Sequence, residues 1–128
     1  MKISCTVENI INVQIVNKVI TKIDLIRLQE SIDLMSQTYE TINLIVLIYK
    51  LKGITLAANI EAIRLAIKEK NTIGKVAIIS DNHLYKFGAK IDDFLTPWKE
   101  KYFSTSQLDK AWEWLQTSGK IIKAQERS

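Results

Sequence analysis

Polar and apolar positions alternate strictly from residue 2 to residue 8, with Ile3, Cys5 and Val7 on one side and Lys2, Ser4, Thr6 and Glu8 on the other. This is the pattern of a half-buried strand at a sheet edge or on an open side. After a turn at Glu8-Asn9, the stretch NVQIVNKVI is again rich in β-branched residues and predicts a second strand, paired with the first as a hairpin. The period then changes. Leu25, Leu28, Ile32, Met35 and Tyr39 recur at spacings of three and four, which aligns them on one face of a helix. Thr21 is placed to cap its N-terminus, with Asp24 in the first turn.

From Ile42 to Leu51, INLIVLIYKL is apolar on both alternating faces over its first eight positions, as expected of a central strand covered on both sides. Gly53 punctuates the following loop and Thr55 offers a second N-cap. Leu56, Ile60, Ile63 and Ile67 then form a second helical stripe, read as core-facing, in a helix running to about Asn71. KVAIIS predicts another short buried strand, and Asp81 or Asn82 is placed to cap the helix after it. Leu84, Phe87, Ile91 and Phe94 carry this third helical stripe, which Pro97 stops. KEKYFS predicts a final short strand. Ser106 with Asp109 opens a last helix with Leu108, Ala111, Trp112 and Leu115 facing inward, and Gly119 ends it. The elements give an α/β domain, an N-terminal β-hairpin followed by βαβαβα with a mostly parallel sheet joined by crossovers. Residues 1–119 read as a single domain and 120–128 as a C-terminal tail.

Composition adds bounds. A chain of 128 residues can bury a sufficient core without disulfides or metal. The net charge of +4 raises the question of nucleic acid, but its lysines are not clustered. Lys68, Lys70 and Lys75 are interleaved with Glu69, and Lys99 and Lys101 flank Glu100, so they read as solvated faces and no nucleic-acid partner is expected. Cys5, the single cysteine, excludes an internal disulfide, suits a reducing compartment and reads as a small buried hydrophobe. No apolar run approaches the ~20 residues of a membrane span, and MKISCTVEN lacks the apolar core of a signal peptide. The expected location is the cytoplasm.

The segment KVAIISDNHLYKFGAKIDDFL followed by KEKYFSTSQLDKAWEWL, together with ITKIDLIRL at the first helix, resembles the SpoIIAA-like group of small bacterial proteins. That group is related in fold to STAS domains and is grouped by some with the CRAL-TRIO lipid-binding fold. The resemblance implies a sheet whose parallel strands are added in sequence order, with helices winding alongside as a superhelix. In anti-sigma-factor antagonists of the STAS class, a serine in an Asp-Ser-Ser-Gly stretch before the second helix is phosphorylated. Here the corresponding stretch is LKGITLAAN, with Thr55 as its sole hydroxyl and no acidic neighbour, which departs from that pattern.

Reactive groups are few. Ser80, Asp81 and His83 lie together at a strand's C-terminal end, where open α/β sheets bind ligands, and a hydrolase using His83 is one reading of them. The same residues serve as helix-capping chemistry at a strand-to-helix junction, which is the preferred reading. A structural zinc site wants about four Cys or His ligands, and Cys5 and His83 lie far apart; no phosphate loop is present, so neither metal nor cofactor is expected. Trp114 lies roughly 200° round the last helix from Trp112, as a partly exposed packing residue or an interface anchor. The leading expectation is a non-enzymatic binding or regulatory module acting through protein–protein contacts, with a homodimer covering an open sheet face. The alternative is a carrier of a lipid or other small hydrophobic ligand held by Phe87, Ile91, Phe94 and Trp98; Thr55, Ser80, Asp81 and His83 stand as a separate candidate polar site at a strand end.

Overall fold

The computed structural model describes residues 1–81 and 98–116. The hairpin forms as the alternation predicts: β1 (Lys2–Val7) pairs antiparallel with β2 (Ile10–Ile15) through a turn at Glu8-Asn9, where Glu8 takes φ 44°. The β-branched run does not continue as one strand. Asn17 at φ 49° breaks it, and Lys18–Ile20 forms a separate strand, β3. Helix α1 (Lys22–Met35) comes next, then β4 (Ile42–Ile48), and the chain breaks again before β5 (Leu51–Ile54). Helix α2 (Leu56–Lys68), strand β6 (Ile73–Ile79), strand β7 (Lys99–Phe103), a 3-10 turn at Thr105–Gln107 and helix α3 (Leu108–Gln116) complete the described elements.

The five long strands make one sheet in the order β1-β2-β4-β6-β7, parallel from β2 onward. Strands β3 and β5 pair parallel as a second, two-stranded sheet. Tyr49 N–H to the Ile15 carbonyl (2.9 Å) and Lys18 N–H to the Lys50 carbonyl (3.2 Å) bridge the breaks, so the small ladder continues the β2–β4 pairing beyond them. The result is a mixed α/β single domain with a mostly parallel sheet and three described helices, its strands added in sequence order. β4 is central, as its two-sided apolar character requires.

Alternation along the strands divides the core in two. On one face, Ile11, Val13, Ile15, Leu44 and Val76 pack with Ile32 of α1 and Ala58 and Leu65 of α2. On the other, Ile45, Leu47, Ala77, Ile79 and Phe103 pack with Ala111 and Leu115 of α3. Leu25, Leu28, Met35 and Tyr39 lie against the first core, which bears out the α1 stripe. The second face was the one expected to need a second copy of the chain as cover; α3 occupies it, so that reason for a dimer falls away.

Three further expectations are corrected. Cys5 is exposed rather than buried, because β1 is the sheet's edge and a register shift falls between Cys5 and Val7. Lys75 is buried rather than solvated, since β6 is an inner strand on which α3 packs. The α2 stripe faces the wrong way: Ala58, Glu61 and Leu65 point to the core, and the large aliphatics point to solvent. The third predicted helix and the C-terminal tail lie outside the described residues.

Candidate functional site

The C-terminal ends of β6 and β7 meet at a cavity of about 180 Å³ lined by Ser80, Asp81, Tyr102, Phe103, Ser104 and Gln107. Parallel pairing of the two strands brings these residues together: Ile79 is opposite Phe103, and the Ser80 N–H donates to the Phe103 carbonyl at 3.0 Å. Asp81 does not aim into open space. One carboxylate oxygen accepts from the Thr105 N–H at 2.8 Å and the other from the Thr105 hydroxyl. Those bonds, from the hydroxyl first and then the backbone, hold the Asp81 carboxyl below the usual carboxylate range. A carboxylate so occupied is a weak base; it clasps β6 to the turn that starts α3. The turn itself is built from Ser104, whose N–H donates to Gln107 Oε1 at 3.1 Å, rather than from Ser106 and Asp109. The cavity is small for an organic ligand, whose sites span roughly 300–1,000 Å³.

The other candidate residues separate. Thr55 caps α2, its Oγ1 accepting from the Ala58 N–H at 3.1 Å, and it is not among the residues lining the cavity. Phe87, Ile91, Phe94 and His83 lie outside the described residues. Trp98 is half-buried against the first core, and its indole N–H donates to Glu100 Oε1 at 3.1 Å. Tyr102 donates to the other Glu100 oxygen at 2.5 Å, so three alternate residues of the β7 segment form one polar row. Burial pushes the Glu100 carboxyl up to about 7.

On the opposite face, Lys75 Nζ donates to the Trp114 carbonyl at 2.9 Å and lies 4.9 Å from the centre of that indole ring. Burial, then the neighbouring Lys99 and Lys101, lowers the Lys75 ammonium's pKa. Asn43, buried, donates to the Leu115 carbonyl at 3.0 Å and accepts from the Lys75 N–H at 2.9 Å. Sequence reading missed both residues, since each is defined by a partner far along the chain. Trp112 and Trp114 both pack partly buried on the second core, and Trp114 meets Phe103 at 6.0 Å between ring centres.

The largest departure from expectation is on the outer helical layer. Leu56, Ile60, Ile63 and Ile67 of α2 are 76%, 47%, 48% and 67% exposed. Beside them on α1, Ile23, Ile26 and Leu34 are also exposed, and α1 packs against α2. Seven large aliphatic side chains therefore share the water-facing side of one two-helix layer. Among the described residues no group of His, Cys, Asp and Glu could hold a metal ion, and no helix is long and apolar enough to cross a membrane.

The SpoIIAA-like family model matches residues 10–116, from the start of β2 to the end of α3. The chain belongs to the SpoIIAA-like family. Among solved structures it is similar to the crystal structure of an uncharacterized protein from the DUF3478 family with a SpoIIAA-like fold from Shewanella loihica PV-4. The TM-score is 0.63 at 21% sequence identity, over 89% of this chain and 90% of that one. At that identity the likeness is one of fold. Comparison with curated proteins gives no match.

Proposed function

We propose that this SpoIIAA-like chain is a protein-binding module of the cytoplasm that makes its contacts through the outer face of the α1–α2 layer and works by association rather than turnover. One observation carries the reading: the apolar stripe at helical spacing Leu56-Ile60-Ile63-Ile67 is on the solvent side of α2 while the core side is made by Ala58, Glu61 and Leu65. A contiguous apolar patch of this kind on a soluble domain marks an interaction surface. The four side chains leave more than two whole aliphatic side chains' worth of surface in water, and covering it is worth on the order of 5 kcal/mol. The strand-end cavity supports the same conclusion, because its carboxylate is spent on Thr105.

A photo-crosslinking residue placed at position 63 tests this in cells, with one at exposed Ser106 beside the other core as control. The expected result is a discrete protein adduct from position 63 and none from 106. No adduct at 63, or equal labelling at both, overturns the reading.

A further inference from the structure

The spacing of the α2 stripe identifies its partner more closely. Leu56, Ile60, Ile63 and Ile67 succeed one another at four, three and four residues, so they occupy the two seam positions of a heptad. Ala58 and Leu65, which dock α2 on the sheet, fall at the heptad position directly opposite that seam. α2 is thus a helix with two working faces, one buried in its own domain and one patterned for another helix.

The spacing also reads the same in either direction. Resting on the reading that this face is a contact surface, we infer that the occupant is a second copy of the chain, seated with the two α2 helices antiparallel about a two-fold axis. In that register Ile60 meets Ile63 of the second copy and Leu56 meets its Ile67, and every seam residue finds an aliphatic partner of its own size. An isologous two-fold contact demands this self-complementarity, whereas a different partner does not.

The seam's flanks agree. On one side are Ala57 and Arg64, on the other Asn59 and Ala66. Antiparallel pairing sets Arg64 against Ala57 of the second copy and Asn59 against its Ala66, so no like charges face each other. Arg64 keeps its own counter-ion, Glu61, at 3.7 Å, and Lys68 keeps Asp33 at 3.2 Å, outside the seam. Small flanking residues let the two helix axes approach. The amount of surface fits as well. With Ile23, Ile26 and Leu34 of α1 widening the stripe, each copy offers on the order of 400 Å² of apolar side chain, close to the apolar share of a standard interface of roughly 800 Å² per partner.

The test uses the full chain with Cys5→Ser, which removes the exposed native thiol. Sedimentation over a concentration series is expected to show a monomer–dimer equilibrium, with Ile63→Glu weakening the dimer by at least 100-fold while the far-ultraviolet circular dichroism spectrum is unchanged. A mixture of Leu56→Cys and Ile67→Cys chains under mild oxidation is expected to give the mixed disulfide. Leu56→Cys alone gives none, because the two copies of that position are about 16 Å apart along the antiparallel pair. A strict monomer, a dimer indifferent to Ile63→Glu, or a disulfide from Leu56→Cys alone overturns the inference. Failure here leaves the protein-binding reading standing if the position-63 adduct contains a different protein, and both fall if there is no adduct.

Discussion

Gly74 is where a side chain cannot fit. A Cβ built there would be 2.5 Å from Thr41 Cγ2 and 3.0 Å from Asn43 Oδ1, and Asn43 Oδ1 is already committed to the Lys75 N–H. Gly74→Ala is expected to lower stability by about 1–3 kcal/mol, as overpacking does. Thr41→Ser removes the closer atom, so the double variant should recover part of that loss in chemical denaturation; no recovery would place the strain elsewhere. Glu100 makes a pH prediction. Its folded pKa is raised to about 7 from an ordinary value of 4.5, so the native state holds a proton that the unfolded chain releases in between. The stabilising contribution is full below the unfolded value and is lost as pH rises through about 7. Glu100→Gln should remove that slope, so the stability difference between the two proteins drifts by on the order of 2 kcal/mol between pH 4.5 and 7.5, screening by solvent included. Identical pH profiles would refute it. Local signals at this scale were legible in the sequence: Thr55 caps α2 as its position suggested, and Asp24 reaches back from the first turn to the Thr21 N–H at 2.9 Å. Lys75 and Asn43 were not legible, because their partners on α3 are 39 and 72 residues away.

At the scale of elements, the periods of the sequence located all three described helices and the strands of the main sheet, and the resemblance gave their order. What periodicity could not supply was direction. A stripe at helical spacing states that one face is apolar, and the sheet decides which face it wants: against the close-packed aliphatics of β4 and β6, α2 presents Ala58 and Leu65, and the bulkier stripe is left outward. The break at Asn17 was hidden for a related reason, since β-branched residues stand on both sides of it and only the φ of Asn17 reveals the turn; after Ile48, Tyr49-Lys50-Leu51 carries no glycine or proline to mark a break. This orientation is measurable in a dilute sample, where any association is minimal. Leu65→Ala should cost about 2–5 kcal/mol as a core truncation, whereas Ile63→Ser, an exposed change, should stay within roughly 0.5 kcal/mol. The reverse ranking would mean that the stripe is the buried face after all.

The whole molecule is two half-cores on the two faces of one sheet, with β4 at its centre. β4 sends Leu44 to the face covered by α1 and α2 and Ile45 and Leu47 to the face covered by α3, and its Asn43 is the polar bolt between layers, joined to β6 through the Lys75 N–H and to α3 through the Leu115 carbonyl. Neither half can lose β4 and stay folded, so the two should melt together although their helices do not touch the same surface. Asn43→Ala removes both of these buried hydrogen bonds, at a cost of about 0.5–1.5 kcal/mol for each. The tryptophans report separately: Trp98 lies on the first core, and Trp112 and Trp114 on the second. Chains keeping only Trp98, or only Trp112, are expected to give coincident urea transitions, and Asn43→Ala should move both midpoints down by the same amount. If the Trp112 transition moved alone, α3 would be a detachable cover over a stable α1–α2 unit, and the second face of the sheet would be open to exchange in the native protein.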